Sequence, residues 1–306
     1  MLNGAVGLIG LGVVGAPIAF KLYQRYGDSF LLVADRERRQ RLQNTQMSVN
    51  SEPFAPRIIS TRSELDVPLR LLIVCVKNYQ LNSALVDIKN VINDQTIILA
   101  LQNGIYAFGF FKKEFPNNNV LPGFVLGPNT KKSGNAFNYT NAGSMHIGDQ
   151  SNSVLDVAAD VYAYLSAAGI DVHLEQDIKR MVWRKWMLNV AGNSVTALTN
   201  ADYSNFKNSP ELQELCRDVM QEFVVVAEAE GIHLSEADID SIILYYTTYG
   251  GTKRTSMLDD VTNNRKTENE YLAGQVLELA SKHNIDTPII RCLYSLLKVK
   301  EWLYLQ

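Results

Sequence analysis

The sequence predicts an α/β domain over residues 1–175 followed by an all-α domain over residues 176–306. Two patterns carry this reading. Before residue 175, short continuous apolar runs alternate with helix-like stretches, as in a parallel sheet covered on both faces. From Gln176 onward, apolar residues recur almost everywhere at spacings of three and four, the helical period. The length of 306 residues agrees, since it corresponds to about two domains.

Ala5 to Ile9 reads as a buried strand, followed at once by Gly10-Leu11-Gly12-Val13-Val14-Gly15. A helix runs from about Ala16 to Tyr26, and a second strand, Phe30 to Ala34, ends at Asp35. Strand, GxGxxG, helix, strand and acid in this order are the signature of a Rossmann-type dinucleotide-binding domain. Gly10 permits the tight turn, Gly12 lets pyrophosphate reach the backbone, and Gly15 lets helix and strand pack closely. The helix N-terminus then faces the phosphates. Asp35 favours an adenosine ribose carrying a free 2′-hydroxyl. Arg36, Arg38 and Arg39 follow directly and suit a 2′-phosphate, so NAD and NADP both remain open here.

Residues Asn44 to Pro68, with Pro53, Pro56 and Pro68, read as irregular. Leu71 to Val76 is a strand that ends in Lys77. A helix from Leu81 to Ile92 and a strand from Thr96 to Leu101 follow, and the latter ends in Gln102-Asn103-Gly104. Ligands in open α/β sheets gather at the carboxyl ends of strands, so Lys77 and Asn103 are candidate contacts. A solvated lysine and a plain Asn-Gly turn are the alternatives. Val120 to Val125 is another strand, and Ala136 to Tyr139 and Ser144 to Ile147 read as hairpin strands appended to the sheet. A helix from Ser153 to Ala168 and a strand from Asp171 to Leu174 complete the domain.

The second domain opens with a helix from about Asp177 to Leu198. On it Lys185, Asn189 and Asn193 recur every four residues. Each step of four turns the bearing by only about 40°, so the three polar groups form one stripe. It is either a solvated face or the wall of a site. Helices then read as Pro210–Glu230, Glu236–Tyr246 with a Ser235/Asp238 capping box, Thr267–His283 and Thr287–Trp302, with a break at Gly250-Gly251. The cleft between the domains is the expected ligand site.

Net charge is −3, with no long basic run, which speaks against nucleic acid. Cys75, Cys216 and Cys292 lie far apart and the four histidines are scattered, so a metal site or histidine triad has little to work with. The apolar N-terminus lacks a basic n-region and is interrupted by glycines, and no long uncharged apolar run follows. A cytoplasmic, non-membrane protein is expected.

These features together resemble the ketopantoate reductase (2-dehydropantoate 2-reductase) family over about residues 5–300. The resemblance rests on GLGVVG at 10–15, VKNYQ at 76–80, QNG at 102–104, HIG at 146–148 and WRKWMLN at 183–189 with Asn193. SMLDD at 256–260, TENEYLAG at 267–274 and Pro288 complete it. It implies that Gly10, Gly12 and Gly15, in a loop with Leu11, Val13 and Val14, bind pyrophosphate. Lys77 and Asn103 would line the coenzyme–substrate junction. Lys185 matches the catalytic lysine, Asn189 and Asn193 the substrate-binding asparagines, Ser256 a serine holding the substrate carboxylate, and Glu268 an acid close to the lysine. The implied coenzyme is NADP(H), although Asp35 stands where relatives often carry an arginine. Arg36 or Arg38 would then grip the phosphate, and NAD(H) stays open.

The chemistry fits those roles. Reducing a 2-keto acid requires a proton for the carbonyl oxygen, and Lys185 can supply it in a chain so poor in histidine. Asn189, Asn193 and Ser256 are neutral donors suited to carboxylate and hydroxyl groups. The alternatives are an NAD-dependent reductase of another branched or aromatic 2-keto acid, a dinucleotide sensor without turnover, and a dehydrogenase of imines or opines. The apolar helical domain is compatible with a homodimer.

Overall fold

The computed structural model describes residues 4–149, 155–248 and 253–306. The expected helix start at Ser153 and the Gly250-Gly251 break lie outside them. The chain divides into two compact units. One comprises the residues up to Gln102 together with Ala107–Lys179, and the other comprises Asn103–Tyr106 together with Arg180–Gln306.

The first unit is built on an eight-stranded sheet. In chain order its elements are β1 (Ala5–Ile9), α1 (Gly15–Tyr26), β2 (Phe30–Val33), α2 (Arg36–Gln43), β3 (Met47–Val49), β4 (Glu52–Phe54), β5 (Arg57–Ile59) and β6 (Leu69–Val74). They continue with α3 (Leu81–Val91), β7 (Ile97–Ala100), α4 (Tyr106–Glu114), β8 (Val120–Leu126), β9 (Asn129–Ser133), β10 (Ala136–Asn141), β11 (Ser144–Ile147), α5 (Leu155–Ala167) and β12 (Val172–Leu174). The sheet order is β12-β11-β8-β7-β6-β1-β2-β5, with β11 antiparallel to β8 and the six strands from β8 to β5 parallel. The chain moves from β1 to β2 on one side and later fills β6 on the other. The carboxyl ends of these three strands therefore meet at a topological switch point, where such sheets bind ligands. β1, β2 and β7 are buried throughout, as their continuous apolar runs require.

Two expectations need correction here. Residues 44–68 are not wholly irregular: β5 joins the edge of the large sheet, and β3 and β4 enter a second sheet of order β4-β3-β10-β9. These strands have three residues each: β3 pairs with distant β10, as Ala136 on Ser48, β4 pairs with β3, and β5 pairs with β2. No local period could reveal them. Likewise β10 lies in this second sheet, antiparallel to β9, and only β11 joins the large sheet. The short α4, interrupted in composition by Gly109, has no counterpart among the expected elements.

The second unit is helical: α6 (Ile178–Thr199), α7 (Tyr203–Phe206), α8 (Pro210–Ala229), α9 (Glu236–Thr248), α10 (Ser256–Thr262), α11 (Ala273–Lys282) and α12 (Pro288–Tyr304). α6 is its axis. Trp186, Met187, Val190, Ala191 and Val195 are buried in one apolar cluster with Phe223 of α8 and Tyr246 of α9. Gly192 is what allows Tyr246 so near, since a Cβ there would lie 2.6 Å from the tyrosine oxygen. Starts are fixed by caps. Ser209 Oγ accepts from the Leu212 N–H at 3.3 Å ahead of α8, and the Ser235 N–H donates to Asp238 Oδ2 at 2.9 Å in the expected box ahead of α9.

The single helix expected over Thr267–His283 is broken. Asn269–Tyr271 is a 3₁₀ turn, and α11 begins only at Ala273, after Leu272 with φ −104° and ψ −85°. Thr267, Glu268 and Asn269 are all buried polar residues, and satisfying them bends the chain. Asn269 Nδ2 donates to the Tyr294 carbonyl at 3.0 Å and the Thr267 N–H to Glu301 Oε1 at 2.6 Å, both on α12.

Candidate active site

The polar stripe on α6 is no solvated face. Lys185, Asn189 and Asn193 are 9%, 8% and 4% exposed, so the stripe lies inside the unit. Asn103, half-buried on the turn that follows β7, meets it. Its Oδ1 accepts from Lys185 Nζ at 3.0 Å and from Asn189 Nδ2 at 3.3 Å, and its Nδ2 donates to Glu268 Oε2 at 3.2 Å. One asparagine thus ties a buried cation to a buried carboxylate. The turn bearing it needs glycine next, because Gly104 has φ +79° and a Cβ would lie 3.2 Å from the Tyr271 carbonyl oxygen. Trp186, one residue past the lysine, faces the core and donates from Nε1 to the Leu272 carbonyl at 3.2 Å. It therefore anchors the broken segment that presents Glu268.

Burial dominates the electrostatics. It pushes the Lys185 ammonium down to about 8, and the charge of Glu268 restores only part of that. Lys185 is still mostly protonated at neutral pH, yet poised to lose its proton within a unit or so. Asn193 contributes something different: its Nδ2 is buried and has no hydrogen-bond partner among the described residues. An orphaned donor of this kind is costly unless something supplies an acceptor. Ser256 is exposed at the first position of α10 and makes no described bond to the lysine network. Its neighbour Thr255 caps α10 through Leu258 and pairs with Thr196 Oγ1 of α6 at 2.7 Å. That hydroxyl pair fixes where Ser256 stands, and nothing in the sequence pattern marked it.

The remaining predicted residues lie in the first unit. Gly10 has φ +104°, and a Cβ there would sit 2.6 Å from the Cys75 and Val76 backbone. At Gly15 a Cβ would meet the Gly10 carbonyl oxygen at 2.0 Å, whereas at Gly12 it would meet nothing within 4 Å. Gly10 and Gly15 are thus required by packing, while Gly12 opens on free space above the N-terminus of α1. A pyrophosphate fits that cradle, and no side chain caps the helix start in its place. Leu11 is buried, Val13 is exposed, and the Val13 carbonyl accepts from Thr130 Oγ1 of β9 at 2.8 Å. Asp35 is the N-cap of α2, accepting from the Arg38 N–H at 2.7 Å, and Arg36 is exposed beside it. Lys77 stands at the carboxyl end of β6, its N–H donating to Gln80 Oε1 at 3.1 Å. Gln102, quoted in the sequence only as part of a motif, donates from Nε2 to the carbonyls of Val74 and Val76 at 3.0 and 3.2 Å. It pins the turn before Asn103 to that strand end. Burial pushes the Cys75 thiol up to about 12, which removes it as a nucleophile. Among the described residues no cluster of three or more His, Cys, Asp or Glu could hold a metal, and no helix is long and apolar enough to cross a membrane.

Comparison with known proteins agrees with this architecture. Residues 6–152 match the family described as "Ketopantoate reductase PanE/ApbA", and residues 177–301 match its "C terminal" part. A 2-dehydropantoate 2-reductase from Yersinia pestis is 30% identical over 259 residues, 83% of this chain and 81% of that protein. Among solved structures, a D-mandelate dehydrogenase with NADH and anilino(oxo)acetate superposes with a TM-score of 0.87 at 22% identity, covering 99% of this chain and 100% of that one. A dimeric ketopantoate reductase from Staphylococcus aureus gives 0.80 at 24%, covering 98% and 99%. The two structural likenesses speak to the fold alone. The two family matches and the Yersinia relative place the chain in the ketopantoate reductase family.

Proposed function

We propose that the protein reduces a 2-keto acid, with ketopantoate as substrate and pantoate as product, using a nicotinamide dinucleotide held by the first unit. The observation that carries this is the buried Lys185, joined through Asn103 to Glu268 and brought to about 8. When bound, the reduced nicotinamide supplies the hydride. Gly10, Gly12 and Gly15, with Leu11, Val13 and Val14, hold its pyrophosphate, and Asp35, Arg36 and Lys77 take the strand-end contacts. Lys185 donates the proton that the carbonyl oxygen needs and offsets negative charge developing there. Glu268 favours the charged form of Lys185, against the burial that disfavours it. Asn103 orients the ammonium, while Asn189, the orphaned donor of Asn193 and the Ser256 hydroxyl hold the substrate's carboxylate and hydroxyl groups. In this reading the first unit is the coenzyme domain and the second the catalytic domain, and the assembly is a homodimer, as in the Staphylococcus relative.

The coenzyme of this reading is NADP(H). Asp35 at the end of β2 favours the second reading, an NADH-dependent reductase of another branched or aromatic 2-keto acid. One experiment separates them: oxidation of NADPH and of NADH, followed by nicotinamide absorbance, with a panel containing ketopantoate and aromatic 2-keto acids. Ketopantoate should give the highest kcat/KM. Preference for an aromatic acid would select the second reading, and turnover of no 2-keto acid would refute both.

A further inference from the structure

The segment Asn103–Tyr106 belongs with the helical unit, although the chain on either side of it belongs to the sheet unit. What seats the segment there decides where Asn103 points. Its approach is fixed by Gln102, whose bonds to the Val74 and Val76 carbonyls hold the strand end. Gly104 lies against the Tyr271 carbonyl, and Ile105 packs on the apolar cluster around Trp186. The last of the four, Tyr106, opens α4 and sets its ring against the ring of Tyr271. The centroids are 4.9 Å apart and the planes meet at 66°. That is the edge-to-face arrangement that ring quadrupoles favour.

Tyr271 stands three residues after Glu268. It ends the 3₁₀ turn that Glu268 precedes, and its N–H donates to the Glu268 carbonyl at 2.9 Å. Ring and carboxylate are therefore carried by one short turn. The phenol also lies within the field of that acid: burial raises its proton affinity most, and Tyr106, Glu270 and Glu268 raise it further. The same two turns are thus joined twice, once by the Asn103–Glu268 hydrogen bond at 3.2 Å and once by the ring pair. Both rings are only half-buried, so the pair adds little to the core. What it fixes is the register of one turn against the other.

We propose that Tyr106 and Tyr271 are positioning residues of the active site: their ring contact clasps the Asn103 turn to the turn that carries Glu268, and so keeps that carboxylate beside Lys185. The role of the pair in turnover rests on the keto-acid reductase reading, whereas its effect on Lys185 does not. The clasp acts on the lysine only through Asn103 and Glu268. Loosening it lets the carboxylate drift, which leaves burial less opposed and makes the ammonium easier to deprotonate.

The test reads Lys185 directly, without turnover. The full chain is labelled with ¹³Cε-lysine, the Lys185 signal is assigned by its loss in Lys185→Met, and the signal is titrated by NMR. In the wild-type chain the midpoint should lie at about 8. In Tyr106→Leu the proton affinity of Lys185 should fall about two- to tenfold, the scale of one aromatic pair. Tyr271→Leu should do the same, and the double variant should be no worse than either single one, because both remove one contact. Tyr106→Phe keeps the ring and should titrate as the wild type does. With the preferred 2-keto acid, the falling limb of kcat/KM should move to lower pH in both leucine variants and stay in place in Tyr106→Phe. Leucine variants that fold, by circular dichroism, and leave the Lys185 midpoint unchanged overturn the clasp, and so do additive effects in the double variant. A chain that turns over no 2-keto acid, but whose Lys185 midpoint moves as stated, refutes the reductase reading and leaves the clasp standing.

Discussion

Lys185 is held at about 8 by two opposed neighbours, low-dielectric surroundings and the carboxylate of Glu268. The sign of its pH effect follows. Keto-acid reduction needs the ammonium, so kcat/KM should be level at neutral pH and fall as pH rises through about 8. Glu268→Gln removes the opposing charge, and the falling limb should move to lower pH. A limb left in place would mean that Glu268 does not act through Lys185. Lys185→Ala should cut kcat by about 10²–10⁴, in line with losing a general acid, with the circular dichroism spectrum unchanged. The glycines make a second contrast at this scale. Gly12→Ala, opening on free space, should fold normally and lose dinucleotide affinity. Gly15→Ala, 2.0 Å from the Gly10 carbonyl oxygen, should lower the melting temperature as well.

At the scale of elements, α6 couples the stripe to the core. Trp186 is fully buried against Trp183 and Phe223, with ring centroids 5.0 Å away in both cases. Trp186→Ala should cost about 3–5 kcal/mol in chemical denaturation, and it should impair catalysis too, because the indole N–H holds the segment that carries Glu268. Asp238 on α9 anchors the start of α6 through Arg180 at 2.6 Å and Arg184 at 3.2 Å. Burial pushes its carboxyl up, but the Ser235 N–H and Arg180 outweigh this and hold it below the usual range. Asp238→Asn should therefore destabilise at neutral pH, and the difference should vanish as acid protonates the wild-type side chain. Local sequence revealed α6 and its stripe because a 22-residue helix repeats its period many times. The strand ends at Asp35, Lys77 and Asn103 were equally readable, since each closes a continuous apolar run. The four-stranded sheet and the break at Leu272 were not. The first is joined into one sheet only by the pairing of β3 with distant β10, and the second arises through buried polar groups whose partners on α12 no local window contains. For the same reason the Lys185, Asn103 and Glu268 contacts needed the fold, although each residue could be named without it.

For the molecule as a whole, the same lysine enters stability. Its ammonium is disfavoured in the fold, about 8 against an ordinary 10.5. Both states hold the proton below about 8, and there the penalty is full. Between about 8 and 10.5 the folded chain has released a proton that the unfolded chain keeps, so unfolding free energy should climb with pH relative to Lys185→Met. All three tryptophans, Trp183, Trp186 and Trp302, belong to the helical unit, so urea titrations followed by fluorescence report it selectively.

The chain passes between its two units three times, at Gln102–Asn103, Tyr106–Ala107 and Lys179–Arg180. Four residues of the helical unit are therefore encoded inside the gene segment for the sheet unit, and one of them is the asparagine that grips Lys185. Shuffling this gene with that of a relative at a single crossover near residue 180 would pair one parent's Lys185 with the other parent's Asn103 turn. Chimeras that exchange residues 103–106 together with the helical half keep lysine, asparagine and glutamate from one ancestry. A recombination library should show its active members concentrated among those triple-crossover sequences.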